Sequence, residues 1–342
     1  MPTRFTFALV IGATVVVATA ACNSDDVVAP PAPAEGAFTV NASQNWTFVS
    51  IEDSVVVTPA PSAGESEAWD IAFFATNVML NGGEAGPAGV TGFCVCQNAQ
   101  ATGDEVLAMT AESELADFDA VTAVPGGSTF VEDALDPALS GWFTGSGSSA
   151  IADPSKTFLV RLADSLAYAK VRVTSLQSPT VTSAGTVTLE FAVQPSPTAA
   201  LGATQTLAVN LASGPVSVDL DAGAVTTSAT DWDLRLSGFA MRVNGGVSGP
   251  GKGAVAAGTG SFASITTAKI ADQAYRIDRY TGVFGAHPYY RYNILGDNRI
   301  SPTFDVYLIK RGSAVYKLQI LGYYDATNTP RHISFRYKQI AG

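Results

Sequence analysis

The sequence predicts an all-β protein made of two tandem antiparallel β-sheet domains. Charged residues make up only 14% of the chain, whereas hydrophobic residues make up 47%, and Val and Thr, which favour strands, are abundant. Several segments alternate between apolar and polar residues with the period of a strand, and one block of sequence occurs twice. Helical periodicity is nearly absent, and residues 112–118 are the only short helical candidate.

The N-terminus predicts export and a lipid anchor. Arg4 precedes an apolar run over residues 5–17, which has the length of a signal-peptide core and is too short to span a bilayer. The run ends in Thr19-Ala20-Ala21-Cys22, which resembles a bacterial lipobox. We therefore expect a signal peptide over residues 1–21, acylation of Cys22 and a flexible tether over residues 22–36. The alternative is a cleaved secretory signal with Cys22 merely nearby.

The repeat is clearest around two tryptophans. Trp69-Asp70-Ile71 matches Trp232-Asp233-Leu234, and Asn81-Gly82-Gly83 matches Asn244-Gly245-Gly246 at the same offset of 163 residues. We expect the tryptophans to anchor a core and the Asn-Gly-Gly segments to form tight turns. A Pro-rich break at residues 194–197 separates the copies. The predicted domains are residues 37–199 and residues 200–342.

The end of the second copy has a strand pattern. Ile333, Phe335 and Tyr337 alternate with polar residues, which is typical of a half-buried strand. Residues 304–309 and 316–321, joined through Arg311-Gly312-Ser313, predict an antiparallel hairpin.

Cys94 and Cys96 are the cysteines that remain if Cys22 is acylated. In an extended strand, residues i and i+2 lie near the upper Cα distance for a disulfide, so a bond between them needs a bent backbone, which Gly92 would permit. An oxidising compartment favours pairing. Free buried thiols and a contact to a soft metal or to haem remain the alternatives.

These motifs resemble those of the HmuY family, and the second copy carries the fuller pattern. Besides the two repeated blocks, the resemblance includes Ile300-Ser301-Pro302, the run from Tyr316 to Leu321 and the terminal Ile333-Ser334-Phe335-Arg336-Tyr337. The resemblance implies an all-β haem-binding lipoprotein at the bacterial surface. In such proteins two side chains from loops ligate the haem iron, and the haem then passes to an outer-membrane receptor.

Candidate haem residues are concentrated in the second copy. Axial donors to haem iron are His, Met, Cys or Tyr, and both histidines of the chain, His287 and His332, lie there. Tyr289, Tyr290, Arg291 and Tyr292 follow His287 and suit stacking on a porphyrin and pairing with a propionate. The alternative is a packed loop without a ligand. The first copy has no histidine, so we expect it to be mainly architectural.

The charge distribution and the missing motifs restrict the function. The net charge is -11, yet residues 200–342 carry 14 Lys and Arg against 9 Asp and Glu. An acidic first half argues against nucleic acid as a partner, whereas a basic half suits an acidic small molecule. No nucleophile elbow or metal-type spacing indicates an enzyme. The alternative to haem binding is a structural or adhesive β-module without a ligand.

Overall fold

The computed structural model describes residues 35–60 and 62–342. The predicted signal peptide, Cys22 and most of the tether lie outside the described residues. The tether was predicted to reach residue 36, but residues 35 and 36 already belong to the first strand. Within the described ranges, no helix combines the length and the apolar character needed to cross a membrane.

The first copy has a front half of six strands and a back half of three long strands, joined by a segment with two short helices. The front strands are β1 (Glu35–Asn41), β2 (Thr47–Ser50), β3 (Val55–Val57), β4 (Ile71–Phe74), β5 (Asn77–Leu80) and β6 (Thr91–Cys94). The joining segment contains α1 (Gly103–Ala108), α2 (Leu115–Ala120), β7 (Leu135–Asp136), β8 (Phe143–Thr144) and β9 (Ile151–Ala152). The back strands are β10 (Phe158–Arg161), β11 (Tyr168–Gln177) and β12 (Thr186–Gln194).

The second copy repeats this arrangement. Its front strands are β13 (Gln205–Asn210), β14 (Val216–Asp219), β15 (Ala224–Thr226), β16 (Leu234–Ser237), β17 (Ala240–Val243) and β18 (Ala254–Ala257). The joining segment contains β19 (Arg279–Tyr280), α3 (Val283–Ala286), β20 (Tyr290–Tyr292) and β21 (Ile300–Pro302). The back strands are β22 (Val306–Arg311), β23 (Ala314–Tyr324) and β24 (Pro330–Ile340).

The large sheets combine strands from both copies. One five-stranded sheet has the order β1-β24-β23-β22-β6, and the other has the order β13-β12-β11-β10-β18. The front half of each copy therefore pairs with the back half of the other copy. All of these neighbouring strands run antiparallel. The front halves also supply one four-stranded sheet each, β3-β2-β4-β5 and β15-β14-β16-β17.

Each core follows this exchange. Lobe 1, defined as residues 35–133 and 281–342, has a core that runs from Val40 to Cys94 and again from Val283 to Tyr337. Lobe 2, defined as residues 138–278, has a core that runs from Leu139 to Val255. The predicted boundary between residues 199 and 200 thus separates sequence copies and not folded lobes. It falls in the loop between β12 and β13, two paired strands of lobe 2.

The chain crosses between the lobes at one place. The chain enters lobe 2 after β7 and leaves it before β19. These two strands pair with each other, and Asp136 lies opposite Arg279. Asp136 also accepts an ion-pair contact of 2.9 Å from Arg279, and Thr281 N–H donates to Ala134 O at 2.8 Å. Lobe 2 is therefore one continuous insertion within lobe 1.

The repeated Trp and Asn residues form the same local unit in both lobes. Trp69 and Trp232 are buried, as predicted. Asn81 does more than form a turn, because its Nδ2 donates to Trp69 O at 2.8 Å, and Asn244 donates to Trp232 O at 2.7 Å. A Cβ at Gly82 would overlap Val90 O. This buried hydrogen bond joins the Asn side chain to the Trp backbone. It explains why twelve residues separate the Trp from the Asn in both copies.

Two local predictions, one in each copy, are confirmed. The hairpin exists as β22 and β23, with Arg311 opposite Ala314 and Gly312 at a φ of 55° in the turn. The helical candidate overlaps α2. Two helices were missed, although α1 has a capping box between Thr102 and Glu105 that the sequence displays.

Candidate functional site

His287 lies beside the two cysteines. It follows α3, is exposed, and is grouped with Cys94 and Cys96 such that one donor atom of each lies within 4.8 Å of the others. The two cysteines form the expected disulfide, with a Cα–Cα distance of 5.0 Å. The bend is at Cys96 itself, whose φ is 54°, and not at Gly92.

His332 lies elsewhere in the same lobe. It is on β24, half-buried, with its Nδ1 3.9 Å from Asp325 Oδ2. Cys94 is in register with Tyr307, Tyr307 with Leu318, and Leu318 with Tyr337. His332 thus lies on the third strand from that of Cys94, which is about 14 Å across the sheet. It also lies five residues along that strand from Tyr337, which is about 17 Å. Two ligand atoms on one metal ion lie only about 4 Å apart, so the structure does not bring His287 and His332 together.

The predicted aromatic cluster separates into different surroundings. Tyr289 is buried, and its hydroxyl has no hydrogen-bond partner among the described residues. Its ring packs edge-on against the ring of Tyr290, and the two ring centres are 5.0 Å apart. Arg291 is directed away from both, since its Nη2 donates to Ala99 O at 3.1 Å.

Tyr290 borders a pocket of about 620 Å³ in lobe 1, here called the tyrosine pocket. Its aromatic and cationic side chains are those of Tyr290, Tyr292, Tyr323, Tyr324, Arg299 and Arg331. The other lining residues are Thr76, Asn298, Ile300 and Pro330, so no carboxylate is among the described residues that line it. A cavity of about 100 Å³ shares Thr76 and Tyr290 with the pocket and is also bordered by Tyr289.

The floor of the tyrosine pocket is ordered by its own contacts. Tyr323 and Tyr324 pack edge-on with ring centres 5.2 Å apart, and the Arg299 guanidinium stacks 4.4 Å from the Tyr324 ring centre. Ile300 N–H donates to the Tyr324 hydroxyl at 3.1 Å. Burial raises the pKa of Tyr323, and a hydrogen bond from Arg331 opposes that shift. The pocket therefore combines ring faces with two guanidinium groups.

Lobe 2 has a pocket of opposite character. It measures about 350 Å³ and is lined by five aspartates, Asp164, Asp219, Asp221, Asp231 and Asp233. In lobe 1 the residue equivalent to Asp233 is Asp70, which is paired with Arg311 at 2.7 Å. The aspartate pocket would repel an acidic ligand, so the two lobes differ in what they can bind.

Sequence reasoning missed most of the tyrosine pocket. Tyr290 and Tyr292 were predicted, whereas Tyr323, Tyr324, Arg299 and Arg331 were not. The adjacent pair Tyr323-Tyr324 at the end of a predicted hairpin is a signal in the sequence, because consecutive strand residues face opposite sides and one of them then faces away from the core. Arg331 gave no such signal, since its φ of 68° is a local departure from the strand.

The comparisons with known proteins identify the family. A family model described as HmuY protein matches residues 42–191 and 204–337. The chain is similar to three solved structures. One is an apo HmuY analogue of Tannerella forsythia (12% identity, TM-score 0.35, covering 93% of this chain and 100% of that one). The others are a Bacteroides vulgatus protein described as HmuY-like and heme-binding (11% identity, TM-score 0.36, 91% and 94%) and a Bacteroides fragilis protein described as a lipoprotein (10% identity, TM-score 0.34, 90% and 92%). No curated protein matches the chain.

The family match covers most of the chain in two segments, and these segments coincide with the two copies seen in the sequence. The chain therefore belongs to the HmuY family and contains two tandem HmuY copies.

Proposed function

We propose that this protein is a non-catalytic bacterial surface lipoprotein that binds haem or a related porphyrin in the tyrosine pocket of lobe 1. The observation that carries the proposal is a pocket whose described lining has four tyrosines, two arginines and no carboxylate. A porphyrin has a flat aromatic ring and two propionates, and it needs those two kinds of partner. The pocket's volume of about 620 Å³ lies within the range of small-molecule sites.

The residues present fit haem, with tyrosine in place of the predicted histidines. No His, Met or Cys is among the described lining residues, so a pocket tyrosine is the proposed iron donor, a ligand type found in haem proteins. Tyr323 is the candidate donor, because the hydrogen bond from Arg331 to its hydroxyl opposes the rise in pKa that burial causes. Arg299 and Arg331 would take the propionates, the role predicted for Arg291.

Anchoring through Cys22 and transfer of haem to an outer-membrane receptor belong to the same proposal. Support for anchoring comes from the lipobox-like Thr19-Ala20-Ala21-Cys22. Cys22→Ala is expected to release the protein from the membrane fraction.

A hemin titration followed by the Soret band tests the binding proposal. Tyr324→Ala removes one stacking face, worth about 0.5 to 1.5 kcal/mol, and is expected to weaken hemin binding about two- to tenfold. Tyr323→Phe keeps the ring and removes the donor oxygen, so a shifted Soret maximum is expected. Arg291→Ala is the matched control, because this side chain lies outside the pocket beside Tyr290 and should leave binding unchanged.

Three outcomes would contradict the proposal. If the Tyr323→Phe and Tyr324→Ala spectra and affinities equal those of the original protein, hemin does not occupy the tyrosine pocket. If a His287→Ala, His332→Ala double variant alone shifts the Soret band, the donor is a histidine, as the sequence predicted. A protein that gives no Soret band at all would instead fit a structural or adhesive module.

A further inference from the structure

A second cluster of donor atoms lies outside the tyrosine pocket. Cys94, Cys96 and His287 each place one ligand atom within 4.8 Å of the others. We propose that reduction of the Cys94–Cys96 disulfide converts this cluster into a three-ligand site for a thiophilic metal ion of the Zn²⁺ or Cu⁺ class. The disulfide closes the site, and its reduction opens it.

The backbone already holds the three ligands in place. Cys94 ends β6 opposite Tyr307, and the Tyr307 hydroxyl donates to His287 O at 2.8 Å. His287 N–H in turn donates to Val283 O at 2.8 Å at the end of α3. One residue of β22 therefore fixes both sides of the cluster.

Gly92 explains how α3 comes so close to β6. A Cβ at this position would overlap Val283 Cγ1 and Leu80 Cδ1. Without a side chain there, the short helix lies directly on the strand and places His287 beside Cys94. The position of His287 is thus determined by packing and not by the disulfide.

The donor set suits a thiophilic ion. Zn–S bonds of about 2.3 Å and Zn–N bonds of about 2.0 Å place two ligands of a tetrahedral ion about 3.5 to 3.8 Å apart. Breaking the disulfide lets the sulfurs separate to about that distance, while the Cα atoms are 5.0 Å apart. Thiolate and imidazole are the ligands preferred by Zn²⁺ and Cu⁺. His287 is exposed and Cys96 half-buried, so an ion can enter and water can complete the coordination.

The redox step needs an external reductant, which is a dithiol or a phosphine. A phosphine attacks one sulfur, and Cys96 is the more accessible of the two. The S–S bond breaks, two electrons pass from phosphorus to the sulfurs, and water supplies the oxygen of the phosphine oxide and the two protons of the thiols. Binding of the metal ion then releases these two protons.

Cobalt titration of the reduced protein is the test. The full chain with Cys22→Ala is used, so that Cys94 and Cys96 are its only thiols. After reduction with a phosphine and removal of oxygen, we expect one Co²⁺ per chain, with a thiolate-to-cobalt charge-transfer band in the near ultraviolet and tetrahedral bands in the red. The oxidised protein is expected to show neither.

Histidine variants distinguish a site that includes His287 from a metal complex formed by the two thiols alone. His287→Ala is expected to weaken Co²⁺ binding at least about tenfold, since even the loss of an outer-shell partner has an effect of that size. His332→Ala is the matched control and should bind as tightly as the parent. The absence of the charge-transfer band in reduced protein, or equal affinities for the His287→Ala and His332→Ala variants, would overturn the proposal. Circular dichroism of each sample establishes that it is folded.

Discussion

At the scale of single residues, the clearest feature is a pair of buried carboxylates, each of which accepts a backbone hydrogen bond from the end of a front strand. Asp133 Oδ2 accepts the Leu80 N–H at 2.8 Å, and Asp278 Oδ2 accepts the Val243 N–H at 2.9 Å. Burial raises the pKa of Asp133 to about 7, although its backbone hydrogen bond opposes the shift. Burial also raises the pKa of Asp278 and that of Asp233, the latter to about 6.

These shifts predict that stability falls as the pH rises from about 4 to about 7. An unfolded Asp loses its proton near pH 3.9, so between these limits the folded state binds more protons than the unfolded state. The free energy of unfolding then decreases with rising pH. Asp133 contributes at most about 4 kcal/mol, because each pKa unit is worth about 1.4 kcal/mol. Denaturant titrations at several pH values measure the decrease.

Asp133→Asn is expected to reduce the slope of stability against pH in this range. Asn keeps an oxygen that can accept the Leu80 N–H but has no proton to lose. Asp117→Asn is the control, because Asp117 is exposed on α2. Equal slopes for the original protein and the Asp133→Asn variant would contradict the assignment.

At the scale of elements, buried lysines attach the joining segments to the large sheets. Lys317 on β23 is 3% exposed, its Nζ donates to Phe118 O at 2.6 Å, and it lies 4.3 Å from the Phe118 ring centre. Lys170 on β11 does the same with Phe262. Its Nζ donates to Phe262 O at 2.7 Å and lies 4.4 Å from the Phe262 ring centre. In both cases the lysine and the phenylalanine come from different copies.

Removing the Lys317 charge should loosen α2. Lys317→Met is expected to lower the free energy of unfolding by about 2 kcal/mol, since it deletes a charged hydrogen bond and a buried cation–π contact. Lys310→Met, an exposed lysine on the adjacent strand β22, should change stability by no more than about 0.5 kcal/mol. Chemical denaturation of both variants provides the comparison. If Lys317→Met proves no more destabilising than Lys310→Met, Lys317 does not hold the helix.

At the scale of the whole molecule, the short link between the copies joins two strands that are neighbours in lobe 2. Strands β12 and β13 are separated only by residues 195–204 and pair as neighbours, with Thr186 opposite Asn210. Strands that are consecutive in the chain pair readily, because a short loop closes at low entropic cost. The exchange also pairs β1 with β24 at the other end of the chain, so the short link explains the β12–β13 pair and not the other exchanged pairs.

The exchange predicts that cleavage between the copies does not separate them. A protease site placed in residues 195–204, which are mostly exposed, would yield two fragments that share both large sheets. We expect them to elute as one 1:1 complex in size-exclusion chromatography with light scattering. They should separate only in the denaturant range in which the β-sheet circular dichroism signal is lost. Fragments that separate into two folded monomers would show that each copy forms its own sheets.

Features that depend on a few neighbouring residues could be predicted from the sequence. The repeat, the hairpin after Arg311, the buried tryptophans and the Cys94–Cys96 disulfide all depend on local alternation, turn residues or spacing. The tyrosine pocket could be predicted only in part, because its walls come from residues near 76, 290–300 and 323–331. These segments become neighbours only through packing in lobe 1.

The sequence by itself determined the β class, the two copies and the HmuY family. Only the tertiary structure decided which front half pairs with which back half, which pocket carries the tyrosines and arginines, and that His287 and His332 lie far apart. The physical reason is that the two copies have nearly the same strand patterns, so each front half presents equivalent edges to either back half. Alternation specifies which face of a strand is buried, but it does not specify which copy supplies the neighbouring strand.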